Sequence, residues 1–371
     1  MRRFFLLGFL LLGALTASAQ QFGDYFYDKA LRFNFQHAGS YGKEHYYFDG
    51  LTEEPFWAGP KDQLVDPFDY GNQKFAIVDA ASGKEIFSQT YCTLFNEWQV
   101  TDEAKSGVYR AFPEAVVFPY PKNKVRIEFY NRDAKNNFVK RYEQTIDPDD
   151  YFIAKSEPKG KVMDILYNGN PAEKLDIVIV PEGYAADEME TFKADCRAFA
   201  DTLFAYSPYK ENKEKFNIRA VWLPSEDSGV SIPGEHIWKN TLLGAHFYTF
   251  GSERYLTAPD QQRLRDAAAN APYDYIYILT NTPKYGGGGI YRFYGIGSAH
   301  HPSATGKVAV HEFGHQLLGL GDEYVEIGGQ AEELYPLTRE PWEENLTTLV
   351  DFGKKKIWNG LLEKDTPVPT P

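Results

Sequence analysis

The chain has 371 residues, 52 acidic against 39 basic side chains, a formal charge of −13, an aromatic share of 16% and two cysteines. An acidic chain gains nothing beside phosphate backbones, so nucleic acid and anionic membrane surfaces are poor partners and no nucleic acid is expected. The length exceeds what one hydrophobic core usually organises, and two domains are expected.

Taken in order, Met1 to Ala19 reads as a secretory signal: Arg2 and Arg3, an apolar run from Phe4 to Leu15, and the small residues Ala17-Ser18-Ala19. The run is too short to span a bilayer, no Cys follows it to carry a lipid, and no second run is long enough for a membrane span. A secreted or periplasmic protein is expected. Residues 20–150 then read as a β-sandwich, with strands at 30–36, 74–80, 85–91, 114–120, 124–132 and 137–146. Their β-branched and aromatic residues are separated by Asn, Gly, Pro and Asp. Trp57, Tyr46 and Tyr47 offer sugar-stacking surfaces or core packing, and core packing is the commoner use. Residues 151–160 form a linker rich in charge, Pro and Gly. The preceding Asp147, Asp149 and Asp150 suit an Asx-capped turn better than a calcium site.

From residue 161 to 371 strands alternate with helices. Strands are expected at 175–181, 217–224 and 273–281, and helices at 188–204 and 257–271. In the first helix Met189, Phe192, Cys196, Phe199 and Leu203 share one stripe. That spacing makes Cys196 a buried thiol; a bridge to Cys92 is the alternative that export permits. The run Gly286–Gly289 lacks the Lys-Ser/Thr ending of a phosphate loop. Gly287, Gly288, Gly289, Ile290 and Tyr291 instead suit an edge strand that a substrate backbone approaches closely, or a plain flexible loop. His246, His300 and His301 read as loop residues.

The stretch HEFGHQLLGLGDEY, from His311 to Tyr324, carries the chemistry. Residues four apart share a helix face, so His311 and His315 can present two imidazoles to one Zn²⁺. Glu312 then stands where it can take a proton from water. Val308, Ala309, Val310, Phe313, Leu317 and Leu318 give the helix an apolar face, and Gly319 and Gly321 stop it. Asp322 follows as a candidate third ligand, with Glu332, Glu333 and Glu340 as alternatives.

HEFGH, the Gly four residues on, the DEY ending, the GGGGIY run and the N-terminal stretch LRFNFQHAGS…YYFDGLTEEPFWAG together resemble the IgA peptidase family of secreted bacterial zinc metallopeptidases. The N-terminal half resembles that family's accessory domain. The resemblance implies a zincin-like, metzincin-related metallopeptidase domain with one catalytic Zn²⁺. It also implies a protein or glycoprotein substrate, with immunoglobulin as the narrowest case. In the metzincin pattern Gly and the third ligand follow the second His by three and six residues; here Gly319 and Asp322 follow by four and seven, one residue later in each case.

The expectation is therefore an α+β two-domain protein: an N-terminal β-sandwich, then an α/β zincin-like zinc metallopeptidase domain. Glu312 is its base, and His311, His315 and Asp322 its metal ligands. The competing expectation is an exported glycan- or protein-binding protein with an inactive peptidase-like domain. All three methionines (Met1, Met163 and Met189) precede His311, so the Met-bearing turn of metzincin-like sites is missing. A chain incomplete at its C-terminus is expected. The oligomeric state is not readable.

Overall fold

A computed structural model of the protein describes residues 21–301, 305–323, 335–352 and 362–367. The expected signal segment, Met1–Ala19, lies outside the described residues. Among the described residues no helix is long and apolar enough to cross a membrane.

After one helical turn, α1 (Phe22–Tyr25), come β1 (Phe26–Ser40), β2 (Lys43–Glu54), β3 (Gln73–Asp79) and β4 (Glu85–Tyr91). Two short helices follow, α2 (Leu94–Gln99) and α3 (Asp102–Lys105), then β5 (Arg110–Pro121), β6 (Val125–Arg132), β7 (Phe138–Ile146) and β8 (Ala154–Lys155). They make two four-stranded sheets, β5-β1-β2-β8 and β4-β3-β6-β7. Aromatic side chains from the two sheets meet: the Phe129 ring of β6 lies 5.7 Å from Phe33 and 4.9 Å from Phe35, both on β1. Strand alternation decides the fate of the Tyr pair, since Tyr46 is buried in this core and its neighbour Tyr47 faces solvent. Trp57 packs edge-on against Phe87. The expected linker is not structureless, because β8 within it pairs in parallel with Thr52 and Glu53 of β2. Asp147 and Asp150 cap turns by accepting from the Asp149 and Phe152 amides, and Lys124 pairs with Asp147 at 2.7 Å.

The second half contains β9 (Lys161–Leu166), β10 (Leu175–Glu182), α4 (Met189–Leu203), β11 (Phe216–Trp222), α5 (Gln261–Ala268), β12 (Tyr275–Thr280), β13 (Gly287–Ile290), β14 (Tyr294–Ser298) and α6 (Thr305–Leu318). Its six-stranded sheet runs β13-β14-β12-β10-β11-β9. The four central strands are parallel, and both edge strands are antiparallel to their neighbours. β10 and β12 are apolar at nearly every position because both faces are covered. Ile177, Ile179, Tyr277 and Leu279 pack with Phe192, Cys196 and Leu203 of α4 and Phe313 of α6. Val178, Val180, Ile276 and Ile278 join Leu264 and Ala267 of α5 in a core continuous with the N-terminal sheets. The result is a mixed α/β molecule with more sheet than helix.

Polar contacts reinforce that junction. Buried Arg32 of β1 pairs with Glu54 at 3.4 Å and with Asp266 of α5, and Tyr273 donates to Glu54 at 2.9 Å. Arg292, just after β13, pairs with Asp66 of the N-terminal half.

Candidate metal centre

Helix α6 is held against the sheet by Phe313, which is fully buried, and by Ala309. Gln316 anchors the same face by donating to the Ile276 carbonyl at 2.7 Å. With that face committed, His311 and His315 turn towards the sheet edge and solvent. Gly319 adopts φ +62°, and its amide bonds to the His315 carbonyl at 3.0 Å, so the chain reverses at once. The reversal brings the Leu320 carbonyl onto His315 Nδ1. A carbonyl only accepts, so Nδ1 carries the proton and Nε2 keeps its lone pair for a metal. Asn345 then clamps Gly321 from both sides, accepting from its amide at 2.9 Å and donating to its carbonyl at 2.8 Å. Asp322, next in the chain, is thereby set opposite the helix.

The three expected ligand atoms converge. His311 Nε2 lies 3.0 Å from His315 Nε2, and Asp322 Oδ1 lies 3.1 Å and 3.2 Å from the two nitrogens. Ligands bonded tetrahedrally to zinc at about 2.0–2.1 Å are separated by roughly 3.3 Å, so the triangle fits that ion. His311, Glu312 and His315 form the one metal-capable cluster among the described residues. Burial opposes charge on His315, but the Asp322 and Leu320 contacts raise it to about 9 in the metal-free protein. Asp322 resists burial through its hydrogen bonds to both histidines, which hold it well below the usual carboxylate range. Burial raises Glu312 to about 7, with His315 and His311 pulling it down and Asp322 pushing it up.

The glycine run lies directly under this helix. A Cβ on Gly289 would come within 2.2 Å of the Glu312 carbonyl oxygen, and one on Gly287 within 3.0 Å of its carboxylate. Close approach of α6 is thus what excludes side chains at these two positions. Gly288 faces the other way, where a Cβ would meet the Tyr255 ring at 2.9 Å. Ile290 and Tyr291 are 2% and 4% exposed, and Tyr291 packs on Trp342. Their side chains belong to the interior, so only backbone there can meet a peptide.

Two residues that local patterns do not reveal stand beside the site. Tyr255 bridges to Gly287 and donates its hydroxyl to Glu97 of α2, from the N-terminal half. Burial lifts Glu97 to about 7; the Tyr255 bond and His315 pull it down and Glu312 pushes it up, so its carboxylate is within electrostatic reach of the centre. The only sequence signal for Glu97 is local, the Thr93 cap that starts α2 by accepting from the Asn96 amide.

The remaining candidates lie apart. Glu340 accepts from Thr348 at 3.2 Å and from the Asp351 amide at 3.0 Å, which commits it elsewhere. Glu332, Glu333 and Tyr324 lie outside the described residues. His300 pairs with Asp195 at 2.8 Å, His301 stacks edge-on against Tyr285, and His246 bonds to the Phe247 carbonyl. Cys92 and Cys196 are both free thiols, so the alternative of a bridge between them fails. Cys196 is buried in the apolar stripe on α4.

Among proteins with curated descriptions none matches the chain. Residues 163–371 match the family model IgA Peptidase M64, and residues 21–143 match Peptidase M64 N-terminus. With one model or the other covering nearly the whole chain, the chain belongs to the IgA peptidase M64 family of peptidases.

Proposed function

We propose that the protein is an exported zinc-dependent endopeptidase that hydrolyses peptide bonds of proteins or glycoproteins, built on a zincin-like domain. The observation that carries this reading is the triangle of His311 Nε2, His315 Nε2 and Asp322 Oδ1, all within 3.2 Å of one another, with Glu312 on the same helix face. A zinc ion held by these three residues supplies Lewis-acid polarisation of the scissile carbonyl and acidifies water.

The protein's own residues do the rest. Glu312, one residue from the first histidine and within the same cluster, is placed to accept a proton from the attacking water. It then returns that proton to the leaving nitrogen, so no covalent intermediate is required. The Leu320 carbonyl keeps His315 in the correct tautomer, and Asn345 keeps Asp322 in place. The intact His-Glu-His set argues against a binding protein that has lost its chemistry. Immunoglobulin A is the narrowest substrate candidate, and general protein cleavage the broader one.

The test is metal analysis of the purified protein together with cleavage of a proteome-derived peptide library. About one zinc per chain is expected, and Glu312→Gln should retain it while losing roughly 10²–10⁴ in rate. Wild-type cleavage by Glu312→Gln would overturn the mechanism. Intact IgA heavy chain would remove only the narrow substrate.

A further inference from the structure

A strand at a sheet edge beside a metal centre invites a substrate to pair along its whole length. The outer edge of β13 is not open in this way. Antiparallel pairing with β14 turns alternate backbone groups inward; Gly286, for example, accepts from the Ser298 amide. Gly287, Gly289 and Tyr291 consequently face outward. The Leu256 amide holds the Gly287 carbonyl at 3.4 Å, and the Cys92 amide holds the Tyr291 carbonyl at 3.0 Å. Between these two brackets sits Gly289, which has no hydrogen-bond partner on that side among the described residues. The brackets are themselves joined. Tyr255 precedes Leu256, Glu97 follows Cys92 on α2, and the Tyr255 hydroxyl donates to Glu97.

Resting on the peptidase reading of the same site, we propose that the Glu97–Tyr255 bridge is a specificity device by which the N-terminal half shortens the substrate cleft. Only one substrate residue meets the edge of β13, at Gly289, and the peptide must bend away on both sides. The substrate class is therefore short peptides and flexible, sharply bent segments of proteins. Extended strands are excluded because their flanking residues would have to displace Leu256, which is fully buried, or the Cys92 bracket. Glu97 and Tyr255 act through the shape of the cleft, and neither is assigned a proton transfer.

The experiment uses zinc-loaded full-length protein in a Glu312→Gln background, so that binding is read without turnover. Peptides of increasing length, nested around one central sequence, are titrated by calorimetry. Affinity should stop improving once the peptide exceeds about three residues, the span that one edge position and its two neighbours allow. Adding Glu97→Ala should restore length dependence, with the longest peptide gaining about tenfold over the shortest. Adding Glu97→Gln, which still accepts from the Tyr255 hydroxyl, should keep the flat profile, and Tyr255→Phe should behave like Glu97→Ala without removing the ring from Gly288. Affinity that climbs steadily with length in the parent protein would overturn the proposal, as would identical profiles for Glu97→Ala and Glu97→Gln or no binding in any variant. Failure of the peptidase reading looks different: peptides bind with the expected profile, yet the protein with Glu312 intact cleaves none of them.

Discussion

Gly289→Ala tests whether the metal helix is placed by contact with the glycine strand. The added methyl would sit 2.2 Å from the Glu312 carbonyl oxygen and 3.0 Å from its Cα, whereas ordinary contacts begin near 3.4 Å. The obstacle is helix backbone, not the tip of a flexible side chain, so α6 must move by roughly 1 Å. Overpacking of this kind destabilises by about 1–3 kcal/mol. The displacement also acts on ligands: Glu312 lies between His311 and His315, and their triangle with Asp322 has sides of only 3.0–3.2 Å. Zinc affinity should therefore fall along with the melting temperature. Gly314→Ala is the internal control. It lies in the same helix, where a Cβ would meet only Leu320 Cδ1 at 3.7 Å. Replacing a helical glycine there should stabilise by about 0.5–1 kcal/mol and leave zinc binding intact. Thermal unfolding with and without a chelator, and competitive zinc titration, read both quantities. Gly289→Ala with wild-type melting and wild-type zinc affinity would refute the claim that strand contact positions the centre.

The other predictions concern the ligands and a buried histidine. His315→Ala should lose stoichiometric zinc, and Asp322→Asn should weaken binding about 10–100-fold, while Glu340→Ala should leave it unchanged; competitive titration ranks them, and a large loss in Glu340→Ala would reassign the third ligand. In the N-terminal half, fully buried His37 sits 2.9 Å from both Glu114 and Glu44. Burial opposes its charge, but the two carboxylates raise it from 6.5 to about 9. A raised histidine stabilises the fold fully below pH 6.5 and loses that contribution as pH climbs through 9, a change of roughly 3 kcal/mol. Glu44, burial notwithstanding, is lowered to about 2 by His37 and its other hydrogen bonds, so its share is present above pH 4.5 and lost as pH falls through 2. Melting temperature should decline across pH 6.5–9 in the wild type and decline less in His37→Gln; equal declines would show that His37 is not the titrating group.

What the amino-acid order determined by itself is whatever depends on residues close in the chain. Helix periodicity of 3.6 puts His311 and His315 on one face, and the left-handed tolerance of Gly319 turns the chain back towards Asp322. Likewise β4 spans the same residues that alternation assigns, Glu85–Tyr91, and β10 is announced by the apolar run from Ile177 to Pro181. β2 escaped because its alternation fails in the middle: Tyr47, Phe48 and Asp49 are exposed in succession, the register slips at Asp49, and Gly50 takes a positive φ. Only the tertiary structure decided the rest. Glycines at 287 and 289 read equally as an edge strand or a flexible loop until α6 is laid across them, and Cys92, Glu97 and Tyr255 carry no local mark of a cleft. Their roles arise from contacts between segments far apart in the chain. Such contacts form when apolar faces of the two halves are buried in one continuous core, and no window of neighbouring residues contains that information.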